Sequence, residues 1–259
     1  MLTGPLGAQS TTPRDSVPAH DTFTVASRAL GEARLVNVYT PPGYRASRST
    51  RVAVLYMPDG GLDEDFPHVV KTVDSLITRR TIRPVIVVGI PNTERRRDLT
   101  GPTRVATDSA IAPHVGGSTA FRRFLRDELM PAVRARYRTT DERSIVGESL
   151  AGLFIVETFL LEPSLFNHYI ALDPSLWWNS GALLDSAPAR LKAFPARPRT
   201  IFLASSNVPD ITSGTARLAD LLRTVPAGKL TWEYAPHPEL THATIFLGVG
   251  PTALARALR

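Results

Sequence analysis

The sequence predicts an α/β protein: a mostly parallel sheet with helices on both faces and an antiparallel strand pair from its N-terminal part. Three observations carry this expectation. From residue 51 onward, short apolar runs of strand length alternate with longer stretches whose apolar residues recur at helical spacing. The runs at 52–57 and 84–90 are almost continuously apolar, as strands buried on both faces require. Ahead of them, residues 22–29 and 34–40 alternate like half-exposed strands and break at Gly31-Glu32, as an antiparallel pair does.

Each element follows in order. Pro41-Pro42-Gly43-Tyr44 ends the second strand. The buried strand 52–57 stops at Pro58-Asp59-Gly60-Gly61, and residues 66–79 carry a helical stripe of Val69, Val70, Val73, Leu76 and Ile77. Strand 84–90 runs into Pro91-Asn92. Residues 93–119 have little periodicity and hold Arg95-Arg96-Arg97, Asp98, His114 and Gly116-Gly117, so they read as a long loop, a length that usually signals function or mobility. Residues 120–137 read as a helix with Phe121, Phe124, Leu125, Leu129 and Val133 on one face. Strands follow at 166–172, 200–204 and 230–234, a helix at 215–222, and a final helical stretch at 242–258 interrupted near Gly248 to Pro251. Residues 20–259 are expected to form one domain without a linker. Residues 1–19 read as a disordered segment or as the remnant of a leader with Leu6-Gly7-Ala8-Gln9 near its end, which leaves a cytoplasmic and a secreted location both open.

Between the helix at 120–137 and the strand at 166–172 lies Ser144-Ile145-Val146-Gly147-Glu148-Ser149-Leu150-Ala151-Gly152-Leu153-Phe154. An apolar run enters a small-residue turn with a serine at its apex, and a helical apolar run leaves it. That is the strand-turn-helix setting of a nucleophile elbow, which lifts the serine Oγ clear of the sheet beside the free N–H groups of a helix start. The pattern departs from Gly-x-Ser-x-Gly by one methyl, at Ala151. The bland alternative is a serine that merely caps a helix.

Composition narrows the remaining possibilities. The chain has 259 residues, 43% of them hydrophobic, and no apolar run long enough to cross a bilayer. Its net charge is +6, carried almost wholly by arginine and spread along the sequence, with neither the basic block nor the reading element of a nucleic-acid binder. With no cysteine, disulfides, thiolate metal sites and cysteine nucleophiles are excluded.

In a parallel α/β sheet, ligands bind beyond the carboxyl ends of the strands, and the candidate polar residues Gly60, Asn92, Ser149, Asp173, Asp210 and His242 all fall there. A serine that attacks an acyl group needs a base, an acid that orients the base, and two oxyanion donors. The chain order expected is serine, acid, histidine. His242, placed just before the last helix, is the expected base, with His237 in reserve and His168 read as structural. Asp210 is the expected acid, with Asp173 as its rival and Asn207 as a weaker orienting group. The expected oxyanion donors are the backbone N–H of Leu150 and that of Gly60 or Gly61. Trp177, Trp178, Asn92, Arg96 and Asp173 are candidate substrate contacts, the tryptophans for a flat acyl group and the arginine for an anionic one.

Several stretches together resemble one family, the esterases of the α/β-hydrolase superfamily related to enterochelin (ferric-siderophore) esterases and to formylglutathione hydrolases. They are Leu55-Tyr56-Met57-Pro58-Asp59-Gly60, Val87-Val88-Gly89-Ile90-Pro91-Asn92-Thr93 with Arg97-Asp98-Leu99-Thr100, Phe124 to Pro131, Gly147 to Gly152, Pro174-Ser175-Leu176-Trp177-Trp178, and His242. The resemblance implies an α/β-hydrolase fold and a serine esterase using Ser149 and His242, with no metal or organic cofactor in catalysis and a small-molecule ester as substrate. Two other functions remain open at this stage: an acyltransferase working through the same acyl-enzyme, and a non-catalytic binding protein on the same scaffold.

Overall fold

The computed structural model describes residues 17–195, 197–226 and 228–259; the expected disordered or leader segment therefore lies almost wholly outside the described residues. Eight strands form one sheet in the order β1-β2-β4-β3-β5-β6-β7-β8. They are β1 (His20–Ser27), β2 (Glu32–Tyr39), β3 (Val52–Pro58), β4 (Val85–Ile90), β5 (Thr139–Glu148), β6 (His168–Leu172), β7 (Arg199–Ser205) and β8 (Leu230–Pro236). β1 and β2 pair antiparallel about the turn at Gly31, whose φ of 70° suits glycine, and β2 joins β4 antiparallel. From β4 through β8 every pairing is parallel.

Alternation along the strands divides the core in two. Val54, Tyr56, Ile86, Val88, Ile145, Tyr169, Ala171, Ile201 and Leu203 face one side. Leu55, Met57, Val85, Val87, Val146, Ile170, Leu172, Phe202 and Ala204 face the other. The second face is covered by α1 (Phe66–Thr78) and the C-terminal helix α9 (Ile245–Ala257). On the first face lie α4 (Ser118–Arg123) and α5 (Met130–Arg136), joined by a π-helical turn (Phe124–Leu129), together with α6 (Leu150–Leu161), α7 (Ala182–Lys192) and α8 (Pro209–Leu222). α6 follows the elbow and is buried on all sides from Leu150 to Leu160, which explains why its sequence is apolar without a polar face. Its one buried acid, Glu157, lies 3.3 Å from the Arg122 guanidinium of α4.

The structure differs from the sequence reading in four places. The supposed loop at 93–119 contains two short helices, α2 (Arg95–Leu99) and α3 (Ala106–Ser109). Contacts that periodicity cannot reveal hold them: in α2, Asp98 accepts from Arg34 at 2.5 Å and from Arg97 at 2.7 Å, and Arg97 also pairs with Glu32, while in α3 Asp108 accepts from Thr103 Oγ1 and Asn179 N. α7 has no forecast counterpart, because it follows left-handed Asn179, Ser180 and Gly181 and contains Pro188. α8 begins at Pro209, six residues before its expected start, because proline is well suited to a first helical turn and Gly214 packs close to Leu176. α9 runs through Pro251 without the expected break. No helix among the described residues is long and apolar enough to cross a membrane.

Candidate active site

The parallel strands carry their polar termini to one edge of the sheet. Three of these ends turn through a residue with positive φ that is not glycine: Asp59 after β3 (55°), Ser149 after β5 (62°) and Asp173 after β6 (48°). Such conformations are costly and persist where the surroundings enforce them. At Ser149 the enforcement is visible. Its N–H donates to Leu172 O at 3.0 Å, and its carbonyl accepts from Leu153 N and Ser175 N at 2.9 and 3.1 Å. A Cβ on Gly147 would lie 2.6 Å from the Ala151 methyl, so glycine is needed before the turn. A Cβ on Gly152 would come within 2.9 Å of Leu172 O and 3.0 Å of Pro174, so the glycine displaced by one position is the one that lets α6 approach β6.

Ser149 Oγ lies 3.1 Å from His242 Nε2, and His242 Nδ1 lies 2.6 Å from Asp173 Oδ2. Asp173 is fully buried and also accepts from Ser206 N at 2.5 Å and Ser206 Oγ at 2.7 Å, whereas the His242 side chain is 42% exposed. Burial pushes the Asp173 carboxyl up, but the hydrogen bonds from His242 and Ser206 outweigh it and hold the group below its ordinary value. The hydrogen bond to Asp173 raises the His242 pKa against the opposing effect of burial, with the nearby Glu148 and Asp173 charges adding to the rise. Nδ1–H pointing at Asp173 leaves the Nε2 lone pair facing the serine, the tautomer that a general base requires.

The expectation that Asp210 orients His242 is corrected by this geometry. Asp210 is exposed in the first turn of α8, and Asp173 occupies the Nδ1 side of the imidazole. The error came from reading Pro209-Asp210 as part of a strand-end loop. His237 bonds Glu239 at 2.7 Å, His168 bonds Thr200 at 2.7 Å, and Asn207 uses its N–H on Leu240 O; none of the three joins Ser149.

The oxyanion expectations divide as well. Leu150 N–H opens α6, where the first N–H groups have no intrahelical acceptor. Gly60 N–H donates to Ile90 O at 3.1 Å, and a Cβ at Gly60 would collide with Ile90 N at 2.1 Å. Gly60 thus serves close packing of the β3 and β4 ends and is not a free donor. Gly61 N–H donates to Glu64 Oε2 at 2.7 Å.

Among the expected substrate contacts, Trp178 is buried and donates from Nε1 to Gly101 O at 2.8 Å, which makes it a core residue, while Trp177 is 41% exposed. Asn92 is engaged by Asp59 and Glu64, and Arg95 forms a two-pronged pair with Asp59 at 2.7 and 2.8 Å. Arg96 donates to Ile111 O and lines a cavity of about 580 Å³ with Arg97, Pro113 and His114. A cavity of about 850 Å³ lies at the amino ends of β5 to β7, away from Ser149. Sequence reasoning missed Ser206, Ser175 (its Oγ 3.5 Å from Ser149 Oγ) and Glu148, whose carboxylate lies 3.8 Å from His242 Nδ1. Only Glu148 carried a signal, its position directly before the serine.

The family model described as "Putative esterase" matches residues 27–212. The chain belongs to this esterase family. Among curated proteins it is similar to the ferri-bacillibactin esterase BesA of Bacillus subtilis, at 34% identity over 39% of this chain and 39% of that protein. It is also similar to the siderophore triacetylfusarinine C esterase of Aspergillus fumigatus, at 38% identity over 37% of this chain and 32% of that protein. The matched stretch therefore spans only about a third to two fifths of these relatives. Among solved structures, an IroE-like serine hydrolase from Shewanella oneidensis superposes with a TM-score of 0.82 at 28% identity, covering 93% of this chain and 79% of that one. The enterobactin esterase FES of Shigella flexneri, at 21% identity and a TM-score of 0.71, shares the fold.

Proposed function

We propose that this protein is a serine esterase that cleaves carboxylic esters through an acyl-enzyme on Ser149. The observation that carries the proposal is the continuous relay from Ser149 Oγ through the His242 imidazole to buried Asp173. His242 Nε2 takes the Ser149 proton as Oγ attacks the ester carbon, and Asp173 stabilises the imidazolium that forms. The oxyanion of the tetrahedral intermediate accepts from Leu150 N–H. Gly61 N–H is the second donor once the oxyanion displaces the Glu64 carboxylate from it. Collapse breaks the bond to the alcohol oxygen, which takes the proton from Nε2. Water then attacks the acyl-enzyme with His242 again as base, returning the carboxylic acid and free Ser149.

The substrates we favour are siderophore-type or aromatic esters, a reading supported by what the curated relatives are named for and by the exposed Trp177, two residues after the Ser175 whose N–H bonds Ser149 O. That residues 20–259 act as one domain belongs to the same proposal and is supported by the unbroken eight-stranded sheet. The test is hydrolysis of p-nitrophenyl acetate, p-nitrophenyl octanoate, methyl ferulate and a catecholate trilactone by the native protein and by Ser149→Ala. Turnover abolished in the variant is expected, with the preferred ester identifying the substrate class. Equal rates for the two proteins would overturn the mechanism.

A further inference from the structure

Glu148 closes β5 immediately before the nucleophile, and the relay described above does not use it. Its side chain is 17% exposed, and its carboxylate accepts no hydrogen bond from any described residue. Among the described residues a single group able to carry positive charge lies within ion-pair reach, the His242 imidazole, with Glu148 Oε1 3.8 Å from Nδ1. Asp173 approaches the same nitrogen at 2.6 Å, so two carboxylates from adjacent strand ends converge on one N–H.

The charged surroundings make this placement costly unless the histidine uses it. Asp173 from the end of β6 and Asp65 from the turn before α1 repel the Glu148 charge; Arg95 of α2 attracts it but is already engaged on both oxygens of Asp59. Burial, offset in part by His242, pushes the Glu148 carboxyl up to about 7, and the Glu148 charge in turn helps raise the imidazole. Neighbouring groups that shift each other in this way titrate as a pair.

We propose that Glu148 is a positioning residue for the esterase reaction, a second carboxylate partner of His242 that shares the imidazolium charge with Asp173 and can accept the Nδ1–H in its place. The inference rests on the serine esterase reading. It has two consequences. Removing the Glu148 charge makes the imidazolium easier to deprotonate, so the ascending limb of the pH profile moves to lower pH while the rate at its plateau falls. Removing Asp173 leaves a histidine that Glu148 can still orient, so loss of both carboxylates is far worse than loss of Asp173 alone.

The experiment compares pH profiles of kcat and KM on p-nitrophenyl acetate for the native protein, Glu148→Gln, Glu148→Asp, Asp173→Ala and the double variant Asp173→Ala/Glu148→Gln. Glutamine matches glutamate in size, so folding is preserved. For Glu148→Gln we expect a limb lower by about half a pH unit or more, kcat reduced roughly three- to tenfold and KM within about twofold, with Glu148→Asp intermediate. The double variant should be at least about tenfold slower than Asp173→Ala. Titration of the His242 Cε1–H resonance in native protein and Glu148→Gln reads the pairing without any turnover and separates its failure from that of the esterase reading. A lower His242 pKa in the variant supports the pairing even if no ester is cleaved. An unchanged resonance, or a double variant no slower than Asp173→Ala, overturns it.

Discussion

Gly147 and Ala151 face each other across the elbow so closely that a methyl on the first would meet the methyl of the second at 2.6 Å. The two positions are therefore read together: the alanine after the serine is tolerated because its counterpart has no side chain. Gly147→Ala is expected to lower stability by about 1–3 kcal/mol through overpacking, or a melting temperature lower by a few degrees, and to cut activity further by displacing Ser149. Ala151→Gly removes a methyl without a clash and should cost only about 1 kcal/mol in helix propensity. Thermal melts of the two variants, with turnover measured alongside, give the comparison.

Asp173 and Asp210 make opposite predictions. In Asp173→Asn the amide N–H can face Nδ1 and hold the wrong imidazole tautomer, so kcat should fall on the order of 10³–10⁴-fold with KM little changed. Asp210→Asn, on the exposed first turn of α8, should leave kcat within about twofold. Steady-state kinetics of both variants on one ester decide the acid; a large loss in Asp210→Asn would restore the sequence-based choice.

What was legible in the sequence was whatever rests on local pattern. The buried strands, the elbow and the placement of Ser149 and His242 at strand ends follow from apolar periodicity and turn residues, and the structure places them within a few residues of expectation. Which aspartate partners His242 was not legible because both follow a strand and lie between serine and histidine in the chain. What separates them is that Asp173 turns through a positive φ into the buried space where Ser206 donates two hydrogen bonds, while Pro209 turns Asp210 outward on a helix. The place of Gly60 was illegible for a related reason: that its N–H is committed to Ile90 O depends on how β3 and β4 sit side by side. Pattern along the chain says nothing of partners across it.

The long segment after β4 supplies a stability prediction. Arg34 and Asp98 are each only 1% exposed at their side chains, and their pair joins β2 to α2. Asp98→Ala leaves the buried Arg34 charge with Glu32 at 3.2 Å, Pro91 O at 2.9 Å and the ring faces of Phe121 and Phe124 as compensation. The expected loss is about 3–5 kcal/mol, and Asp98→Asn, which keeps an acceptor, should lose less. Urea unfolding followed by intrinsic fluorescence measures both; a loss below about 1 kcal/mol would show that α2 is held by its other contacts.

Glu148 ties stability to pH with a sign opposite to that of Asp173. A carboxyl raised to about 7 in the folded protein, against an ordinary value of 4.5, binds more protons folded than unfolded between those limits, so stability contributed there is lost as pH rises. Asp173, whose carboxyl is depressed, contributes stability that is present above the unfolded value and is lost as pH falls through the folded one. Glu148→Gln should therefore be more stable than the native protein at pH 8, on the order of 1–3 kcal/mol, and the advantage should vanish near pH 4.5. Asp173→Asn should be less stable at pH 8, with the difference shrinking toward acid. Melts across pH 4 to 9 test both signs. A stabilised but slower Glu148→Gln is the combination expected of a group kept beside the nucleophile for its charge, at a cost to the fold.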